Sequence, residues 1–478
     1  MTTQHMNKYA GIAFFLLAFT ACKMPAIIEK KENKTVSASY TNGSQDSTNT
    51  ATQSWRQFFT DPNLVALIDT ALRNNQELNI TLQEIEIARN EVRARKGEYL
   101  PFVGVGVGAG VDKSGRYTSK GSSEATTEIK PGKATPDPLP NFVLGGYATW
   151  EVDIWHKLRN AKKSAASKYL ASVEGKNFMV TNLVTEISGS YYELLALDNQ
   201  LAILNQNIQI QSNALAIVKL EKEATKVTEL AVRKFEAEVF KTRSLQFAIQ
   251  QQIIETENRI NFLVGRYPQP ITRNSDNFTN MIPHTVQVGL PSQLLANRPD
   301  IRRAEFELAA AKLDVKVAKA RFYPQFSITA GLGYNAFNPS YLLKTPESLM
   351  YNLAGDLLAP LVNRNGIKAA YISANAKQIQ AVYNYERSIL NAYIEVANQV
   401  SKISNLQKSY DLKSQQVTAL TQSIDISTGL FKSARADYME VLMTQRDALE
   451  ARFELIEIKM QQLNASVNAY RAVGGGWR

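Results

Sequence analysis

The chain holds one cysteine and three histidines in 478 residues. A single thiol, Cys22, has nothing to pair with, so no disulfide holds this protein together. His5, His156 and His284 are far apart in the sequence, which leaves no histidine cluster with metal-ligand spacing. The glycines fit neither the G-x-G-x-x-G nor the P-loop pattern. Acidic residues lie among many basic ones on helical segments, with no distinctive pair for acid–base work. Nine methionines are too few and too dispersed for a copper relay. These absences give no catalytic residue, no metal site and no cofactor, and the chain reads as a non-enzyme. The net charge of +10 is spread along the chain without a basic stripe interleaved with aromatics, so nucleic acid is not the expected partner.

What is present begins at the N-terminus. Lys8 precedes an apolar run, Ala10 to Phe19, too short to span a bilayer, and Thr20-Ala21-Cys22 comes next. A basic residue, a short apolar segment and small residues before a cut describe a secretory signal over residues 1–21. Cysteine directly after the cut is the arrangement in which the thiol takes a diacylglycerol, so Cys22 is the expected lipid attachment. Residues 22–54 are then a lipid-anchored tether, and the Ser/Thr/Asn/Gln-rich stretch Asn33 to Ser54 is expected to be flexible.

Apolar spacing predicts two long helices. Val173, Val180, Ile187, Leu194, Leu201, Ile208 and Leu215 recur every seven residues, as do Val382, Ile389, Val396, Ile403, Tyr410, Val417, Ile424 and Phe431. A strict period of seven keeps one stripe of a helix against a neighbour. Neither run contains proline, and each helix is about 100 Å long at 1.5 Å per residue.

Before each long helix the period changes to two. Val103, Val105, Val107, Ala109 and Val111 alternate with Gly104 to Gly110 in a strand over about 100–112, and a second strand covers about 141–152. The order recurs with strands at about 325–335 and 349–358. The plan is two copies of helix, strand, loop, strand, long helix, turn and return helix, over 55–280 and 281–478. In the first copy the long helix covers about 157–223 and the return helix about 229–264. In the second they cover about 362–433 and 437–473. Four strands of about ten residues match membrane β-strands, yet four cannot close a barrel and lipid does not tolerate open edges. Several chains must pool their strands, and glycines facing a lumen argue for three or more. Past the second turn, Asp437 and Glu440 share a helix face. In a ring of identical chains they form a carboxylate collar at the aperture, selective for cations.

Leu290-Pro291-Ser292-Gln293-Leu294-Leu295-Ala296-Asn297-Arg298-Pro299-Asp300-Ile301-Arg302-Arg303-Ala304-Glu305 resembles the signature of the TolC-type outer-membrane efflux proteins, in their lipoprotein (nodulation-type) branch. Ala320-Arg321-Phe322-Tyr323-Pro324, Trp55 with Phe58 to Pro62, Trp150 to Asp153, and Tyr470 to Trp477 are similar too. The resemblance implies a mostly α fold with a small β part. It implies a homotrimer, with a twelve-stranded membrane β-barrel continuous with a periplasmic α-helical barrel. It also implies an exit duct for substrates delivered by an inner-membrane pump of the resistance–nodulation–division class through a periplasmic adaptor. The adaptor would dock at the tips, Ala224, Thr225, Lys226 and Val227 in one hairpin and Ser433, Ala434 and Arg435 in the other. Three departures stand out: neither tip carries the family's glycine, Glu440-Val441-Leu442-Met443 keeps one acid of Asp-Val-Leu-Asp, and Asp153-Ile154-Trp155-His156 replaces Asp-Leu-Phe-Gly. The competing readings are a duct for a type I protein-secretion system and a coiled-coil envelope scaffold without a pore.

Overall fold

The computed structural model describes residues 24–40, 47–360, 362, 364–433 and 435–478. Cys22, the signal and Ala434 lie outside the described residues. The chain is mostly helical, and its residues divide between two compact units.

The first unit comprises residues 1–31, 86–170 and 306–383. It contains a four-stranded antiparallel sheet, ordered β1 (Phe102–Asp112), β2 (Leu139–Val152), β3 (Gln325–Ala336) and β4 (Leu349–Leu358). Pro101 and Pro324 stand where the preceding helices stop, as expected of residues that cannot continue a helical ladder. At the same end of the sheet, Asp153 caps the helix that leaves β2: its carboxylate accepts from the amides of Leu158 and Arg159 at 3.0 and 2.9 Å. A small core of Val315, Ala318, Phe322 and Tyr371 lies beside this end, with Met24 and Ile27 packed on it.

The second unit comprises residues 32–85, 171–305 and 384–478 and is built from helices. The chain's principal helices are α1 (Pro62–Asn74), α2 (Gln76–Tyr99), α3 (Lys157–Glu223), α4 (Glu229–Val264), α5 (Pro299–Ala320), α6 (Asn365–Lys432) and α7 (Tyr438–Ala472). Of these, α2, α3, α5 and α6 contribute residues to both units. Asp61 caps α1 through the amide of Asn63 at 2.8 Å, and Pro62 fills the first helical position. The heptad residues Val180, Ile187 and Leu194 are buried in one large core with Phe58, Leu64, Ile260, Leu463 and Tyr470. In α6 the same spacing buries Val382, Ile389 and Val396, while Ile403 to Phe431 stay half-buried.

The signature segment is a structural clasp in this unit. Arg298 is buried; it donates to Asp300 at 2.8 Å, to Glu395 at 2.7 Å and to the Ala472 carbonyl at 2.9 Å. Burial alone would lower this guanidinium's pKa, but its bonds to Asp300 and Glu395 hold it above its ordinary value. Gly474, at φ 98°, brings the C-terminal turn against Asn297 where a side chain would collide with backbone.

In the segment expected to be a flexible tether, residues 41–46 lie outside the described residues, and parts of the flanking stretches are packed. Tyr40 is 3% exposed and stacks on Tyr393 with ring centroids 5.3 Å apart. Lys34 pairs with Glu305 at 2.7 Å, and Ala51 is fully buried. Composition undercounted this stretch because a few specific side chains, Tyr40 and Ala51 among them, seat it, together with a backbone bond from Thr50 to Gln287 at 3.0 Å.

Candidate pore face and hairpin tips

Antiparallel register assigns each strand residue to a face, since directly opposed residues point the same way. One face carries the rows Val103–Ala148–Ala330–Leu353, Val105–Gly146–Leu332–Tyr351 and Val107–Leu144–Tyr334–Leu349. It is apolar across all four strands. The opposite face carries Gly104–Tyr147–Gly331–Asn352, Gly106–Gly145–Gly333–Met350 and Thr149–Thr329–Ala354. Its glycines make room: the Tyr147 ring lies over Gly104, and a Cβ on Gly333 would fall 2.4 Å from the Leu144 carbonyl oxygen. Val103, Val105, Val107, Leu353 and Leu357 are each about 70–80% exposed, although a soluble protein would bury such a patch. Among the described residues no helix is long and apolar enough to cross a membrane. The outer edges of β1 and β4 have no strand partner among the described residues.

The segments between β1 and β2 and between β3 and β4 meet at the far end of the sheet. There Lys130 donates to the Tyr341 hydroxyl at 2.6 Å, and its charge pulls that phenol below its ordinary pKa.

The two hairpin tips belong to the helical unit, and the structure brings them together. Val218, Ala231, Val232 and Phe235 of the first hairpin form a buried cluster on which Val227, Tyr438 and Leu442 pack. The Phe235 and Tyr438 rings are 6.5 Å apart. At the first tip α3 ends in a Schellman turn: Lys226 N–H donates to Glu221 O at 2.8 Å and Thr225 N–H to Lys222 O at 2.9 Å. Thr225 therefore adopts φ 57°, where glycine is the usual occupant. Ala224, Thr225 and Lys226 are exposed and Val227 is half-buried. At the second tip Ser433 Oγ donates to the Gly429 carbonyl at 3.1 Å, and Arg435 N–H reaches Leu430 O at 2.9 Å.

Asp437 is the N-cap of α7 but makes no side-chain capping bond, and Glu440 lies in the first turn. Both are exposed, and neither has an ion-pair partner among the described residues. Sequence reasoning missed three features here: the apolar cluster joining the tips, the left-handed turn at Thr225, and a ladder of ion pairs across the first hairpin. In that ladder Lys222 meets Glu229 at 2.5 Å and Lys219 meets Glu236 at 3.0 Å. The signal for the ladder was available, as Lys219 and Lys222 precede the turn and Glu229 and Glu236 follow it.

The family model described as outer membrane efflux protein matches residues 67–266 and 290–475. The chain is similar to the pyoverdine export outer membrane protein OpmQ of Pseudomonas aeruginosa, 28% identical over 424 residues, covering 89% of this chain and 87% of that protein. It is 25% identical over 423 residues to the probable outer membrane lipoprotein SilC of Salmonella typhimurium, covering 88% of each. Among solved structures, a crystal structure of CusC, studied for its folding and transmembrane channel formation, superposes with a TM-score of 0.80. That match is 24% identical and covers 94% of this chain and 99% of the other, and it speaks to the fold.

Proposed function

Since the chain belongs to the outer membrane efflux protein family, we propose that three copies of it make one continuous exit duct. Each copy contributes four strands to a twelve-stranded barrel, and its helices line a periplasmic tunnel. The observation that carries this reading is the sheet itself: one face wholly apolar, the other glycine-rich and polar, and both edges without a strand partner among the described residues. In lipid such a sheet is stable only when closed by further strands. Twelve strands leave a lumen that eight would fill with side chains.

In this reading the two tips receive a periplasmic adaptor, and an inner-membrane pump of the resistance–nodulation–division class supplies the energy. The duct performs no catalysis and holds no cofactor. Asp437 and Glu440, exposed beside the tips and without an ion-pair partner among the described residues, ring the aperture and favour cations. Cys22 carries the lipid anchor, in keeping with the lipoprotein name of one relative. Cargo differs among relatives, one being named for pyoverdine, as expected if the pump rather than the duct selects it.

Single-channel recording in planar bilayers tests the duct. Purified protein should conduct, and silence from correctly inserted protein would favour a scaffold without a pore. Asp437→Asn with Glu440→Gln should shift the reversal potential towards weaker cation selectivity; an unchanged potential would remove both residues from the aperture. Cys22→Ala should abolish incorporation of labelled fatty acid, and label retained by that variant would show the anchor lies elsewhere.

A further inference from the structure

The excess positive charge looked dispersed along the sequence, but the fold gathers it. The four segments that join helices to the sheet, residues 92–101, 153–163, 314–324 and 359–368, hold twelve Lys and Arg against three Asp and Glu. That excess of nine nearly equals the net charge of the whole chain, +10. The register places all four junctions at one end of the sheet, where Phe102 faces Thr149, Val152 faces Phe326 and Gln325 faces Leu358.

Aromatic side chains with a polar edge stand at the same level. Trp150, on the apolar face, donates its indole N–H to the Tyr99 carbonyl at 3.2 Å. Trp155 stacks on Tyr323 at 4.7 Å and donates to the Pro324 carbonyl at 2.7 Å. Trp and Tyr so placed below an apolar band are the marks of a membrane–water interface. Arg159 lies over the Tyr99 ring, 5.1 Å from its centroid, and donates to its hydroxyl at 2.9 Å. Arg159, Lys319 and Arg321 are exposed and have no carboxylate partner among the described residues. Cations left unpaired beside an interfacial aromatic belt lack a counter-anion, and lipid phosphates lie at that depth.

We infer that this collar binds anionic phospholipid headgroups in the leaflet on the helix side of the barrel, and so selects its boundary lipid by charge. The inference rests on the spanning sheet proposed above. The full-length protein is to be equilibrated in detergent with equal amounts of phosphatidylglycerol and phosphatidylcholine, and the lipids retained counted by native mass spectrometry. Wild type should keep phosphatidylglycerol in preference, and a variant combining Arg159→Gln, Lys319→Gln and Arg321→Gln should lose about tenfold or more of that preference. A control combining Lys402→Gln and Lys408→Gln, exposed on α6 away from the junctions, should retain it. Equal retention of both lipids by wild type, or equal losses in the two variants, would overturn the inference while leaving the duct intact. Protein that conducts in neither phosphatidylcholine nor mixed bilayers would instead overturn the spanning reading, and this inference with it.

Discussion

The two hairpin tips share a plan and differ in what holds them. Across the first, Lys222–Glu229 and Lys219–Glu236 tie α3 to α4, and Arg233 adds bonds to both glutamates at 2.8 and 2.9 Å. Across the second, the ion pair from α6 to α7 is Lys413–Glu454, far back from the turn, and beyond it no such pair joins the helices among the described residues. Residues 414–432 carry only Asp425 and Lys432 as charges, and the facing stretch 438–453 carries Glu440, Arg446, Asp447, Glu450 and Arg452, none of them ion-paired to α6 among the described residues. One hairpin is cross-braced by ion pairs to its end, and the other, beyond Lys413–Glu454, has among the described residues a hydrogen bond from Arg452 to the neutral Thr421 hydroxyl at 3.1 Å and packing contacts such as that of buried Val441. In the duct proposed above, the braced hairpin suits a part of the wall that stays fixed and the less braced one a part that moves.

The comparison is broken most severely at the cluster both tips share. Phe235→Ala removes a ring that is 2% exposed from between Val232 and Tyr438 and is expected to cost about 3–5 kcal/mol. Amide hydrogen exchange should then rise around 438–445 as well as around 227–239. A rise confined to the first hairpin would show that the tips are not coupled through this ring.

Thr225→Gly sharpens the contrast from the other side. A threonine at φ 57° carries a left-handed cost of roughly 1–2 kcal/mol that glycine lacks. The first tip should become more resistant to exchange by about that amount, less the entropy that glycine adds to the unfolded chain. Unchanged protection would mean that the turn is not strained.

A smaller effect should come from acid. Hydrogen bonds from Lys222 and Lys219 hold the carboxyls of Glu229 and Glu236 below their ordinary pKa of 4.5. A depressed carboxyl stabilises the folded state above its unfolded pKa, and that contribution is lost as pH falls through its folded value. Intrinsic-rate-corrected exchange at 219–236 should therefore increase below about pH 4.5, with 429–445 changing less. Glu229→Gln with Glu236→Gln should remove the difference at neutral pH. Salt should act in the same direction, because these pairs are exposed.

The parts of this fold governed by periodicity were legible in the sequence. Alternation at Val103 to Val111 placed β1 within two residues of its ends, and the sevens through Val382 and Ile389 marked the buried stripe of α6. Parts governed by single backbone torsions were not. The departures from family pattern at Thr225 and His156 had no account until their φ angles, both 57°, placed each in the left-handed region that glycine otherwise occupies. Parts created by tertiary gathering were invisible as well. Arg93, Arg159, Lys319 and Lys368 are separated by up to 275 positions, and only strand register brings their junctions to one end of a sheet. Tyr40 was misjudged because one aromatic in a polar stretch does not alter a compositional average, though it fills a specific niche beside Tyr393.

The account turns on whether one chain supplies a third of a closed wall. The most direct measurement is the mass of the assembly released from lipid nanodiscs into the mass spectrometer, on preparations that conduct. It should correspond to three copies of the lipid-modified mature chain, with no monomer that conducts. A conducting species containing a single chain, or a fully inserted protein that stays monomeric, would contradict it.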